Sequence, residues 1–188
     1  MHTRTTAAIG SIAVVLLALS SSPAMAVGLT EMGHFDDLNH ESYTAHDPNL
    51  CDGMLSFPVE WNENAVGTYR IVERKGQLYE SFNGSFIGTW TNVDTGLGYH
   101  YNQRLNSGDQ NLVPNDMGGF TLTFTDRFNV FWTDDLGRAN LHDAGANTVT
   151  IEVDQNRDFV SFIDNRGRGR ADTEGRDFCA DLIEFTTP

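Results

Sequence analysis

Apolar and polar residues alternate most regularly between Gln77 and Asn92, in QLYESFNGSFIGTWTN. Leu78, Phe82, Phe86 and Trp90 fall on one side of an extended chain, together with Glu80, Gly84 and Gly88. Tyr79, Ser81, Asn83, Ser85, Thr89 and Thr91 point the other way, with Ile87 the exception. A period of two sustained this long predicts a half-buried strand. The glycines stand among large aromatics, where a strand must curve or accept a close neighbour.

Shorter alternating stretches surround this one. Phe57 to Trp61 reads as a first strand, with Pro58 at its start or edge. Asn62 to Val66 is a predicted turn and Gly67 to Arg74 a second strand, which Lys75-Gly76 turns back into the long one as a hairpin. Gly98 to Leu105 follows, then a surface loop over Ser107 to Gly119. Phe120 to Thr125 alternates most cleanly, aromatic or aliphatic inward and threonine outward. Asp126 to Asn129 reads as a turn and Val130 to Thr133 as a strand. Asp134 to Asn147 is a predicted connection that holds a short strand at Ala139 to Leu141, and Thr148 to Asp154 and Asp158 to Ile163 are strands. Asn165 to Arg176 (NRGRGRADTEGR) has the composition of a loop. Phe178 to Phe185 suits either a final strand or a helical turn.

About eight strands joined by short turns, with no long amphipathic helix, predict an all-β meander. Most strands have one apolar face, so a single layer can enclose its own core. That favours a closed antiparallel β-barrel, with a β-sandwich as the alternative, since alternation is common to both.

The first residues change the compartment. Arg4, the apolar run Ile9 to Leu19 and Ala24-Met25-Ala26 have the layout of a secretory signal peptide over residues 1–26. Residues 27–50 are polar and acidic and read as an N-terminal arm, leaving 51–188 as the barrel domain. In an exported chain, Cys51 and Cys179 are most simply one disulfide, contributing at most about 4–5 kcal/mol through loop closure. The formal net charge is −14, which opposes binding to nucleic acid or anionic lipid. No apolar run after the leader approaches membrane length. The expected product is a soluble, secreted monomer.

Candidate chemistry is sparse. His34, His40 and His46 stand among carboxylates, but their interval of six matches no compact metal-ligand pattern, and solvated histidines are the simpler reading. Asp126, Asp134, Asp135 and Asp143 suggest turn chemistry in preference to a calcium site. No G-x-S-x-G, zinc-hydrolase or phosphate-loop motif occurs, and the sequence implies no cofactor. Glu80 shares the apolar face and has two readings. It is either an acid, base or anchor in a pocket lined by Trp90, Tyr99, Tyr101 and Trp132, or a solvated carboxylate at the strand end, the simpler of the two.

The order Cys51…Phe57-Pro58-Val59, Gly88-Thr89, Thr121 to Asp126, Asp143-Ala144-Gly145 and Phe178 to Leu182 resembles a group of small, uncharacterised secreted proteins of actinobacteria. The likeness implies a single disulfide-closed β-barrel. More distantly the chain looks like the allene oxide cyclase and dirigent barrels, although none of their catalytic residues maps onto it. The expected function is binding of a small apolar or aromatic ligand in the barrel mouth. The alternatives are a barrel isomerase or cyclase using Glu80 with a tyrosine, or an extracellular protein-interaction module whose core is filled by its own side chains and whose loops meet another protein.

Overall fold

A computed structural model describes residues 30–74, 77–116, 118–156 and 158–188. Residues 1–26, read from the sequence as a signal peptide, and Lys75-Gly76, read as a turn, lie outside these residues. The strands are β1 (Thr30–Tyr43), β2 (Val59–Arg74), β3 (Gln77–Asn92), β4 (Gly98–Pro114), β5 (Phe120–Asp134), β6 (Asn140–Val153) and β7 (Phe159–Ala171). A 3-10 turn at Cys51–Gly53 lies between β1 and β2, and helix α1 (Phe178–Thr186) ends the chain. The seven strands form one sheet in sequence order, every neighbouring pair antiparallel. The fold is all-β around a single sheet, and the disulfide Cys51–Cys179 spans a sequence separation of 128. Among the described residues the ladders leave β1 and β7 as unjoined edges, so the sheet is not closed. Alternation predicts the layer but says nothing of closure.

The strands are fewer and longer than the sequence suggests. Residues 30–43, read as part of an irregular arm, form β1. Asn62 to Val66 and Asp126 to Asn129, read as turns, lie inside β2 and β5. The presumed loop after Leu105 continues β4 to Pro114, past a bulge between Asp109 and Asn111. β6 begins inside the expected connection, and β7 takes in the Arg-Gly run as far as Ala171. The physical reason is common to all six. Asn, Asp and Gly favour turns locally, but inside a ladder their backbone groups are already paired and their side chains can face water. Phe178 to Phe185, left open between strand and helix, is helical.

The face assignment in β3 matches its alternation. Trp61, Trp90, Tyr99, Tyr101 and Trp132 share one face, here called inner because α1 packs on it. Asp177 caps α1 by accepting from the N–H groups of Cys179 and Ala180, an interaction of about 1 kcal/mol. Arg176 chelates the buried Asp181 carboxylate at 2.6–2.9 Å and lies over the Phe185 ring. Leu182, fully buried, and Phe185 enter a core made of Leu50, Leu55, Phe57, Val59, Tyr99 and Ala139. Asn92 Nδ2 and Thr95 Oγ1 both donate to the Thr186 carbonyl, which ties the helix end to the β3–β4 connection. One end of the sheet is therefore capped and covalently pinned.

Candidate functional site

Trp90, Tyr99, Tyr101 and Trp132, the four aromatics expected to line a pocket, do come together. Tyr99 stacks on Trp132 at 5.1 Å between centroids, Tyr101 lies 5.4 Å from Trp132, and Trp61 stacks on Trp90 at 5.5 Å. Phe178 meets Trp90 edge-on at 5.2 Å, and Phe185 lies 5.2 Å from Tyr99. The Trp90 and Tyr99 end of the cluster is thus covered by α1, and Tyr99 keeps only 1% of its surface exposed.

Glu80 is elsewhere. It stands on the predicted face but ten positions along β3 from Trp90, roughly 33 Å at the usual strand rise, and it is exposed near the β2–β3 hairpin. Its backbone N–H donates to the Asp109 carboxylate at 2.8 Å. Arg70 and Arg104 lie on the opposite face of the sheet.

The carboxylate that does meet the aromatics is Glu63. The Tyr101 hydroxyl donates to Glu63 Oε2 at 2.5 Å and accepts from Trp61 Nε1 at 3.1 Å, while Asn39 Nδ2 reaches Glu63 Oε1 at 3.2 Å. Burial, reinforced by the Glu63 hydrogen bond and charge, pushes the Tyr101 pKa far above the usual phenol range. Tyr99 is raised as well, by burial and then by the charge of Asp181. Tyr43 donates to Glu41 and is raised to about 12, by burial first and then by that hydrogen bond. Tyr69 completes the pattern with a 3.2 Å bond to Glu31. Three tyrosine–carboxylate pairs thus sit on the inner face. These acids were legible only as charge: Glu63 and Glu31 meet their tyrosines across strands, where register decides the partner, while Glu41 meets Tyr43 two residues along β1, a segment read as an irregular arm.

Gly88 explains how Tyr101 fits. It faces Tyr101 across the β3–β4 ladder, and a Cβ there would lie 2.3 Å from the tyrosine ring. Trp132 Nε1 is buried and meets no acceptor among the described residues.

Register also divides charge between the two faces. Among the described strand residues, the inner face carries Glu31, Asp37, Glu41, Glu63, Glu73 and Glu80, then Asp109, Asp126, Asp134 and Asp143, and no lysine or arginine. The strand arginines all lie outside: Arg70 and Arg74 on β2, Arg104, Arg127, and Arg166, Arg168 and Arg170 on β7. Only Asp36, Glu60, Glu152 and Asp164 are acids on that side.

His34 and His40 are on the outer face of β1, the latter bonded to Asn62 at 2.8 Å, while His46 bonds the Gly53 carbonyl at 3.0 Å. The aspartates considered for calcium are used locally. Asp134 accepts from Leu136 N and Ala139 N, Asp135 from Gly98 N and His100, and Asp143 from Thr173. No group of three or more metal-ligating side chains is assembled among the described residues.

Two shallow depressions open on the outer face around Thr68, Asn83 and Arg104, and neither is lined by the aromatic cluster. The molecule is thus an open antiparallel meander, capped by a disulfide-bound helix over a packed aromatic core. No family model, curated protein or solved structure matches the chain.

Proposed function

We propose that the protein is a secreted, monomeric interaction module whose inner face is filled by its own side chains and whose outer polar face meets the partner. One observation carries this reading: Trp90 and Tyr99 pack directly under Phe178 and Phe185, Trp132 packs against the same core, and Tyr101 is buried beside Trp132. The disulfide is in keeping with an oxidising compartment, and the leader-like residues 1–26 with export. In this reading the sheet works as an open shell. A closed barrel would need β1 and β7, which run the same way in a seven-strand meander, to pair in parallel.

A second reading keeps the small apolar or aromatic ligand, and the unpartnered Trp132 Nε1 favours it, since a ligand acceptor would satisfy that donor. An isomerase or cyclase using Glu80 has no such support, because Glu80 is remote from the tyrosines of the cluster. Native mass spectrometry of the protein from its own culture medium separates the two readings. A bare mass supports the filled module. A retained small molecule, lost in Trp132→Phe, overturns it.

A further inference from the structure

We propose that the outer face carries a binding band for a linear acidic polysaccharide, running across the strands from β3 to β7. The proposal rests on the interaction-module reading and names the partner of its outer face. One row of the band is Asn83, Asn106, Arg127, Ala146 and Arg168, paired in register from strand to strand. The adjoining row is Ser85, Arg104, Asn129, Ala144 and Arg170. Four strand spacings make the band about 19 Å long. Alanines and Ser85 leave a low floor between taller arginines and asparagines.

The arginines are held where an anion can reach them. Arg166, Arg168 and Arg170 alternate along β7 at about 6.7 Å, all exposed on the outer side. Gly145 and Gly169 fix that placement. They face each other across the β6–β7 ladder, and a Cβ on either would fall within 2.2–2.3 Å of a carbonyl oxygen of the opposite strand. Asp164 and Asp172 pair with Arg166 and Arg170 at 2.7 and 2.5 Å. Among the described residues, no carboxylate pairs with Arg104, Arg127 or Arg168. In a chain of net charge −14, this local surplus of guanidinium groups is a specific feature of one face. Guanidinium groups suit carboxylates through paired N–H donors, and Asn83 and Asn106 supply donors and acceptors for sugar hydroxyls. The two rows themselves carry no aromatic ring, but Phe131 stacked on His142 borders them beside Asn129, so single-stranded DNA, which could stack there, is the necessary control.

Calorimetric titration of the full disulfide-bonded chain with oligogalacturonate long enough to span the band tests the idea. The expected result is binding that weakens as salt is raised, with little response to the methyl-esterified oligomer. Combining Arg104→Gln, Arg127→Gln and Arg168→Gln should weaken binding about tenfold or more. Arg74→Gln, on the same face but at the hairpin end, should change it less than about twofold. Equal binding of the ester, an unaffected triple variant, or equal affinity for a single-stranded DNA oligomer each overturns the proposal. If oligogalacturonate fails to bind while the protein's native mass is bare, the polysaccharide falls and the filled module stands. A retained small molecule removes the module itself.

Discussion

The helix-capped end of the sheet and its β7 edge are made from similar strands, yet they are held in opposite ways. At the capped end, Val59, Tyr99, Leu182 and Phe185 are almost wholly buried and the covering helix is covalently tied down. Along β7, Phe159, Val160, Phe162 and Ile163 keep half or more of their surface exposed, and among the described residues only β6 pairs with it. Backbone ladders suffice to form a strand, but burial decides how much each side chain contributes to stability. Stability is therefore concentrated at the cap, and the exposed edge and outer face are free to change.

Breaking the cap should have the largest effect. With Cys51→Ser and Cys179→Ser combined, the lost loop constraint should cost up to about 4–5 kcal/mol, read by urea unfolding. A loss no larger than that of a surface substitution would mean that α1 stays docked without its tether.

A matched pair of truncations tests the comparison directly. Leu182→Ala removes a side chain with 0% exposure and should cost about 3 kcal/mol. Phe162→Ala removes a larger one at 69% exposure and should cost less than about 0.5 kcal/mol. Equal losses would show that the β7 edge is covered in solution, by a second copy or by closure onto β1.

The same division decides what could be read from the sequence. Where apolar residues alternate with small polar ones, as from Gln77 to Asn92 or Phe120 to Thr125, side-chain period alone marks strand and face. The outward threonines form the expected ladder, with Thr123 to Thr150 at 3.1 Å and Thr125 to Thr148 at 3.0 Å. In the polar centre of the sheet that signal disappears. Asn165 to Arg170 resembles a loop by composition, although Arg166, Arg168 and Arg170 keep a period of two that could have marked a strand. Within the site, the aromatics were visible as an apolar stripe. Their cover by α1, and the choice of Glu63 over Glu80, depend on chain packing and register, which no local pattern records.

An intermediate effect is expected at Gly88. A methyl group placed 2.3 Å from the Tyr101 ring must displace either that ring or the strand. Gly88→Ala should destabilise by about 1–3 kcal/mol through overpacking, and near-ultraviolet circular dichroism should register the disturbed Tyr101–Trp61 contact. Gly96→Ala is a useful contrast, because no atom lies within 4 Å of its Cβ position but its φ is +72°. Its cost would come from backbone strain, with the aromatic signal unchanged.

The smallest predicted effect concerns charge on the inner face away from the cap. Burial raises the Asp126 pKa, and the Ser107 hydrogen bond opposes the shift. A carboxyl group raised in the folded state binds its proton more tightly there than in the unfolded chain. Its ionisation therefore costs stability near neutrality, and that cost is relieved as pH falls through the folded-state pKa. Asp126→Asn should stabilise the protein by less than about 1 kcal/mol at neutral pH, with the gain shrinking on acidification. Asp135, at the end of β5's outer connection, has the opposite sign. Its pKa is lowered by hydrogen bonds from His100 and Gly98 N. Its contribution is present above the ordinary aspartate range and lost as pH falls through the lowered value, so Asp135→Asn should destabilise slightly at neutral pH and converge with the parent in acid. Urea midpoints of the two variants between neutral and acid pH should thus approach the parent from opposite sides. Approach from the same side would mean that the sheet does not bury Asp126.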